Sequence, residues 1–291
     1  MRISFLGPAG TYSEVAALSY AQPTDSIVVC PSHTAVIDAV EHGAADVAMM
    51  PIENVLEGAI TITLDLLIHE TSLRICAETV VPIKHHLLGR QGFDIKDAKI
   101  LYGHPQSLAQ CRQFIETTLP HVTSMASLSN SAAPADALAS ATPALAIGTL
   151  RAAELTGAHV LVPDIQDRNN NVTRFVALAR TDHAPTGNDK TSLCFGFDRE
   201  DQPGQVVRVL RILADADINM IKLESRPSKA VLGEYVFLVD INGHRLDPHI
   251  ARALELMQAQ TGFLKIFGSY PCYTKDEKND ATIGNLRHHT P

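Results

Sequence analysis

Through the first 180 residues, short apolar runs alternate with stretches whose apolar positions repeat at helical spacing. The runs at 3–6 (ISFL), 26–30 (SIVVC), 46–50 (DVAMM), 98–102 (AKILY), 144–148 (ALAIG) and 174–179 (RFVALA) have the length and branched content of buried strands. Between them, 11–21, 32–43, 59–70, 107–119, 132–141 and 150–157 carry the helical period. Strand–helix alternation predicts α/β layers around a largely parallel sheet. Ligands of such sheets meet the carboxyl ends of the strands.

The pattern breaks at 180–190 (RTDHAPTGNDK), which is polar, contains Pro and Gly, has no period and reads as a linker. Beyond it the order changes. A strand (191–197), a helix (203–217), two strands (218–225 and 234–241), a helix (247–262) and a last strand (263–270) spell βαββαβ, a ferredoxin-like unit. The organisation expected is therefore 1–180, a linker over 181–190, a second domain over 191–272 and a polar tail over 273–291.

Composition narrows the function. No apolar stretch approaches the ~18 residues of a membrane span, and the first apolar run stops at Gly7-Pro8, too early for a signal peptide. The 5 cysteines are scattered and odd in number, with no C-x-x-C pair, which points to the cytoplasm and away from disulfides or structural zinc. A net charge of -8 without a basic run speaks against nucleic acid. An anionic substrate would need local cations and backbone dipoles. The 13 histidines form no metal-binding pattern, and the adjacent pair 85–86 would face opposite sides of a strand.

Four stretches carry candidate chemistry. In FLGPAGTYSE, Thr11 and Glu14 form a capping box after glycines, so the helix start offers an anion site or only a cap. In MMPIENVLEG, Glu53 and Asn54 end a buried strand, as site groups or as an ordinary turn. In ILYGHPQSLAQC, His104 precedes a helix on which Gln106 and Gln110 share a face. In NNNVTRF, Thr173 and Arg174 stand at a strand threshold, where alternation turns them to opposite faces.

Taken together, GPAGTYSEVAA, PIEN, EG, HPQSLAQC and NNVTRF, in this order, resemble the prephenate dehydratase family. TSLCFGF, INMIKLESRP and EYVFLVDI resemble the ACT domain attached to its bacterial monofunctional members. The likeness covers about residues 1–272. It implies an α/β fold: a two-lobed catalytic domain similar to periplasmic binding proteins, with a C-terminal ferredoxin-like ACT domain. It also implies decarboxylating dehydration of prephenate to phenylpyruvate without metal or organic cofactor. It carries catalytic roles to Thr173, Asn54 and Gln110, with Glu53 beside them, and substrate contacts to Thr11, Arg174, Phe175 and His104. It places L-phenylalanine, as feedback inhibitor, at Glu224, Ser225, Arg226 and Pro227 with Gly204 and Asn219. It further implies homodimers or homotetramers, with no nucleic-acid or membrane partner.

The chain departs from the family pattern in three places. Val55 and Gly103 stand where serines are usual, and Gly204-Gln205-Val206 replaces a Gly-Ala-Leu segment beside the effector pocket. Arogenate as substrate, or amino-acid sensing without turnover, are the competing expectations.

Overall fold

The computed structural model describes residues 1–197 and 202–274. The tail expected beyond the last strand lies, from residue 275 on, outside the described residues.

Among the described residues, three sheets carry the fold, with elements numbered in chain order. The first contains β1 (Arg2–Leu6), β2 (Ser26–Cys30), β3 (Val47–Asn54), β5 (Arg74–Pro82) and β11 (Val172–Ala179), in the order β2-β1-β3-β11-β5. The two-residue β4 (Gly58–Ala59) folds back on the end of β3, pairing Glu53 with Ala59 and Asn54 with Gly58. Its connecting helices are α1 (Tyr12–Tyr20), α2 (His33–Glu41) and α3 (Thr61–Asp65). The second sheet runs β10-β6-β9-β7-β8, from β6 (His86–Gly89), β7 (Ile100–Gly103), β8 (Thr123–Ala126), β9 (Ala144–Gly148) and β10 (His159–Val162). Around it lie α4 (Pro105–Gln110), α5 (Arg112–Thr118), α6 (Ala132–Ala139) and α7 (Leu150–Thr156). It is mixed rather than largely parallel: β7 runs parallel to β8 and β9, while β6 runs antiparallel to β9 and β10.

The third sheet is the ferredoxin-like unit in the expected order. It contains β12 (Asp189–Gly196), α8 (Gln205–Asp215), β13 (Met220–Pro227), β14 (Tyr235–Asn242), α9 (Pro248–Gln260) and β15 (Phe263–Pro271), with strand order β13-β14-β12-β15. Val209 and Leu213 on α8 and Ile250, Ala253, Leu254 and Met257 on α9 bury the helical stripes against Leu193, Phe195, Val239 and Ile241 of the sheet.

Backbone proximity groups the chain into two compact units. One comprises Met1–Val36, Met49–Ile60 and Val80–Phe175; the other comprises Ile37–Ala48, Thr61–Thr79 and the chain from Val176. The polar stretch 180–190, read as a linker, is pinned within the second unit. Asp182 takes a bidentate pair from Arg245 at 2.6 and 2.9 Å, and Asp189 accepts from the Thr186 and Gly187 N–H groups and the Thr186 hydroxyl. Burial pushes the Asp182 carboxyl up, but Arg245, the Ser269 N–H and Arg74 together outweigh it and hold the group below the usual carboxylate range.

Two helices differ from their patterns. The stretch 107–119 bends at Cys111, which is buried between α4 and α5 with φ -115 and ψ 20. The stretch 59–70 starts as α3, then widens into a π turn over Leu66–Glu70, closed by the Thr71 N–H on the Leu66 carbonyl at 3.0 Å.

Candidate active site

The site is built in the first unit, where the end of β3, the start of β11 and helix α4 meet. Asn54, Asn171 and Thr173 are 5 %, 3 % and 8 % exposed, so each polar group needs a partner. Their hydrogen bonds fix the direction of every amide. Asn54 Oδ1 accepts the N–H groups of Leu56 and Glu57 at 3.0 and 3.1 Å. Its Nδ2 therefore faces the other way, donating to Asn171 Oδ1 (2.8 Å), Thr173 Oγ1 (2.9 Å) and the Val172 carbonyl (3.2 Å). Asn171 then has only its Nδ2 to offer Gln110, and donates to Gln110 Oε1 at 3.1 Å. Gln110 Nε2 donates to Glu57 at 3.0 Å, and Gln106 donates to the same carboxylate oxygen.

One consequence concerns His85. Its Nε2 lies 2.8 Å from Gln110 Oε1, an acceptor, so this nitrogen carries the proton. Nδ1 is buried without a hydrogen-bond partner. Burial pulls the imidazole below its ordinary range, against the smaller opposing effect of Gln110, and keeps the ring neutral. Tyr12 packs edge-on against it at 6.2 Å and donates its hydroxyl to the Lys84 carbonyl.

The other consequence concerns Thr173. Its oxygen receives an N–H from Asn54, so its own proton points elsewhere, free to be donated. A hydroxyl held this way can donate its proton, and the group beside it, itself a donor and not a base, does not activate it as a nucleophile. The sulfur chemistry nearby is silent: Cys111 is fully buried, and burial pushes its thiol up to about 12.

The structure divides the candidates of the sequence. Thr173, Asn54 and Gln110 share one network. Glu53 and Arg174 meet each other instead, 3.7 Å apart, each next in sequence to a network residue. Strand alternation explains the split, since neighbours on β3 and β11 point to opposite faces. Phe175 returns to the Thr173 side and is buried in the core. His104 is the N-cap of α4 without a side-chain capping bond, Pro105 following at N1. Thr11 caps α1 through a long 3.4 Å bond from the Glu14 N–H. Glu14 itself takes the Gly10 N–H at 2.5 Å and pairs with Arg151 at 3.3 Å, so an internal carboxylate already faces this helix start. Gly10 has φ +88, and a side chain there would press on Ser131 and Ala152.

Asn171, His85 and Glu57 belong to this network, and the residue-by-residue reading did not single them out. The asparagine run was a usable signal for the first; the histidine pair gave none, because its partners lie far away in sequence. A cavity of about 300 Å³ adjoins the network, lined by Gln110, Asn171, Leu56 and Arg168, the last a cation also missed. A larger, more open cavity of about 700 Å³ near Arg74, Leu254 and Lys265 touches none of the motif residues. Among the described residues no group of three or more His, Cys, Asp or Glu is placed to hold a metal ion.

The departures are local. Val55 is exposed. A side chain at Gly103 would meet Leu108 at 3.0 Å, so a serine here would require that leucine to shift. Gln205 Oε1 accepts the Gln202 N–H at 3.3 Å, within the turn that starts α8.

The candidate effector residues lie on the ferredoxin-like unit. Gly204 is the N-cap of α8 with φ +82, and the Asn219 carbonyl accepts from Asn242 just before β13. On β13, Glu224 and Arg226 occupy the half-buried face and Ser225 and Pro227 the exposed one. Glu224 pairs with Lys222 at 3.3 Å and Arg226 with Asp65 at 2.8 Å.

Two open α/β sheets bearing a hydroxyl oriented as a proton donor among buried amides, followed by a ferredoxin-like module, define a small-molecule enzyme with an appended regulatory domain. Comparison with known proteins specifies the enzyme. The family model for prephenate dehydratase matches residues 3–183, and that for the ACT domain matches 196–255. The chain belongs to the prephenate dehydratase family. It is 34 % identical to the prephenate dehydratase of Corynebacterium glutamicum over 96 % of this chain and 90 % of that one. Among solved structures, the prephenate dehydratase of Arthrobacter aurescens in complex with L-Phe is 33 % identical, covers 98 % of this chain and 97 % of its own, and superposes with a TM-score of 0.84. GqqA, described as a novel type of quorum quenching acylase, is 30 % identical over 94 % of this chain and 98 % of its own, with a TM-score of 0.82.

Proposed function

We propose that this protein converts prephenate to phenylpyruvate, carbon dioxide and water, with Thr173 as the proton donor to the departing hydroxyl. The observation that carries the reading is the direction of the Asn54–Thr173 hydrogen bond, which fills the threonine oxygen and releases its proton. The ring carboxylate leaves as carbon dioxide, and its C–C bond electrons flow into the ring as the C–O bond breaks. The hydroxide that departs takes the Thr173 proton to become water, and solvent reprotonates the threonine. A free threonine is too weak an acid to give up its proton before the bond breaks, so the transfer accompanies hydroxide departure. The aromatic product makes the step strongly downhill, and one preorganised donor lowers the barrier by ~3–4 kcal/mol.

Asn54 orients the donor; Asn171, Gln110 and His85 hold Asn54 in register. Arg168, on the wall of the cavity beside the network, is the cation for one substrate carboxylate; Arg174, paired with Glu53, and the helix start at Thr11, faced by Glu14, serve the other only by exchanging those partners for the substrate. L-phenylalanine is the effector, bound at Glu224–Pro227 with Gly204 and Asn219. The domains expected are the catalytic part over 1–180 and the ACT domain over 191–272. Self-association is expected through β13, an edge strand whose Met220, Ile221 and Leu223 are exposed. The five scattered cysteines, with no C-x-x-C pair, support a reducing, cytoplasmic setting. No helix among the described residues is long and apolar enough to cross a membrane.

The test is phenylpyruvate formation, read by its absorbance in base, from prephenate and arogenate side by side. Product from prephenate is expected. A folded protein that binds prephenate and releases nothing would instead be a sensor, and product from arogenate alone would move the substrate. The acylase likeness of GqqA is tested in the same series with an N-acyl homoserine lactone, from which no amide cleavage is expected.

A further inference from the structure

The π turn Leu66–Glu70 is gripped at both ends by side chains of the ferredoxin-like unit. At its head, Asp65 Oδ1 receives Arg226 Nη2 at 2.8 Å and Nε at 3.2 Å, and Asp65 Oδ2 receives Lys229 Nζ at 2.7 Å. At its tail, Lys265 Nζ donates to the carbonyls of Thr71 at 2.8 Å and Ile68 at 3.2 Å. A cation on those carbonyls satisfies acceptors that a helix end leaves open.

A π turn holds one residue more per turn than the surrounding α-helix and persists only where its surroundings stabilise it. Here the stabilising groups come from β13, the loop after it, and β15. The acid–cation cluster is half-buried, with Asp65 and Arg226 side chains 15 % and 14 % exposed, so its geometry is better defined than that of a surface pair. Burial pushes the Asp65 carboxyl up, but Lys229 and Arg226 together outweigh that and hold it below the usual range.

The sequence gives this turn its reach. Thr61–Asp65 follows the Glu57–Ala59 segment with one residue, Ile60, between them, and Glu57 receives both Gln106 and Gln110. Release of the grip lets Leu66–Glu70 fall back to the α register, a step of one residue, ~1.5 Å along the helix. Through the backbone that step reaches the carboxylate on which the two glutamines rest. Arg226 stands within the strand segment Glu224–Pro227, so a ligand that orders this segment fixes the guanidinium on Asp65 and tightens the grip, while a chain unable to form the pair keeps the released, active register.

We propose that the π turn is the element through which an effector on Glu224–Pro227 acts on the amide network, with Asp65 as the coupling residue. This rests on the reading of the protein as a phenylalanine-regulated prephenate dehydratase. A ligand shifts such an element only by interacting differently with its two states, and the Asp65–Arg226 pair supplies the difference.

The experiment measures three quantities on the full chain and on Asp65→Asn: turnover of prephenate, the L-phenylalanine concentration giving half-inhibition, and calorimetric L-phenylalanine binding. The substituted protein is expected to turn over prephenate within about threefold of the parent, to bind L-phenylalanine, and to need at least about tenfold more of it for half-inhibition. Lys229→Met, at an exposed position, removes one arm of the grip without burying a new group and is expected to raise the midpoint about threefold. An unchanged midpoint in Asp65→Asn overturns the proposal, as does loss of phenylalanine binding altogether, which would make Asp65 part of the ligand site. If Asp65→Asn does not fold, an unchanged midpoint in Lys229→Met overturns it. These outcomes leave the catalytic reading untouched, because that reading falls only if the parent protein forms no phenylpyruvate.

Discussion

The amide network around Thr173 and the ionic cluster around Asp65 solve the same problem, fixing a short segment, by different physics. The network is neutral, buried and directional. Its chain of donors from His85 through Gln110, and from Asn171 and Asn54 to Thr173, allows one arrangement of protons. The cluster is charged and half-buried, with the Lys229 arm exposed to solvent and salt. Neutral amides suit a site where a single proton must be aimed. Ion pairs suit a joint that must let go, because their strength changes with nearby charge and with salt.

The largest expected effect breaks the first region. Thr173→Ala removes the donor and is expected to lower kcat by about 10²- to 10³-fold, with KM for prephenate changed little. Thr173→Ser, which keeps the hydroxyl, is expected to recover much of the rate. Steady-state kinetics with circular dichroism to confirm folding checks both, and equal turnover in Thr173→Ala would remove the donor role.

A smaller effect separates the regions. Salt near 1 M shortens the screening length to ~3 Å. The ionic cluster is then expected to weaken, raising the phenylalanine midpoint about threefold, while kcat stays within about twofold. A kcat that falls as steeply as inhibition would show that the site also depends on exposed charge.

The smallest effect is a pH dependence of stability that belongs to the network. His85 titrates below the ordinary imidazole range when folded and near ~6.5 when unfolded. The unfolded chain takes up the proton first, so stability falls as pH drops through ~6.5 and keeps falling until the lower folded-state pKa is reached. Above ~6.5 this penalty is absent. In His85→Gln the slope of Tm against pH between 7.5 and 5.5 is expected to be shallower than in the parent. An identical slope would mean that His85 does not titrate as its burial requires.

How far the sequence carries this picture differs between the two regions. Strands whose apolar runs are uninterrupted, such as Ser26–Cys30 and Ala144–Gly148, fall where their pattern places them. Strand β5 was not anticipated, because Arg74 and Glu78 interrupt its pattern; the buried Glu78 side chain is met by Lys190 at 3.0 Å and by the Tyr273 N–H. Helix boundaries at Cys111 and Leu66 depend on burial and on Lys265, neither visible in a local window. In the site, Thr173, Asn54 and Gln110 stood out through their motifs. Asn171 and His85 did not, since what defines them is a partner more than twenty residues away, at 117 positions for Asn54–Asn171 and 25 for His85–Gln110. The same distance hides Asp65, 161 positions from Arg226. Alternation did anticipate that Thr173 and Arg174 would part, and each has a different neighbour on β3.

The central claim is that Asn54 donates to Thr173 and thereby frees the threonine proton. Asn54→Asp tests it with almost no change of shape. An ionised carboxylate only accepts, so the Thr173 hydroxyl would turn to it and its proton would no longer be free for the leaving group. The measurement is kcat for prephenate near pH 8 in the folded Asn54→Asp protein. The account expects a loss of about 10²-fold or more, close to that of Thr173→Ala. A kcat within about threefold of the parent would contradict it.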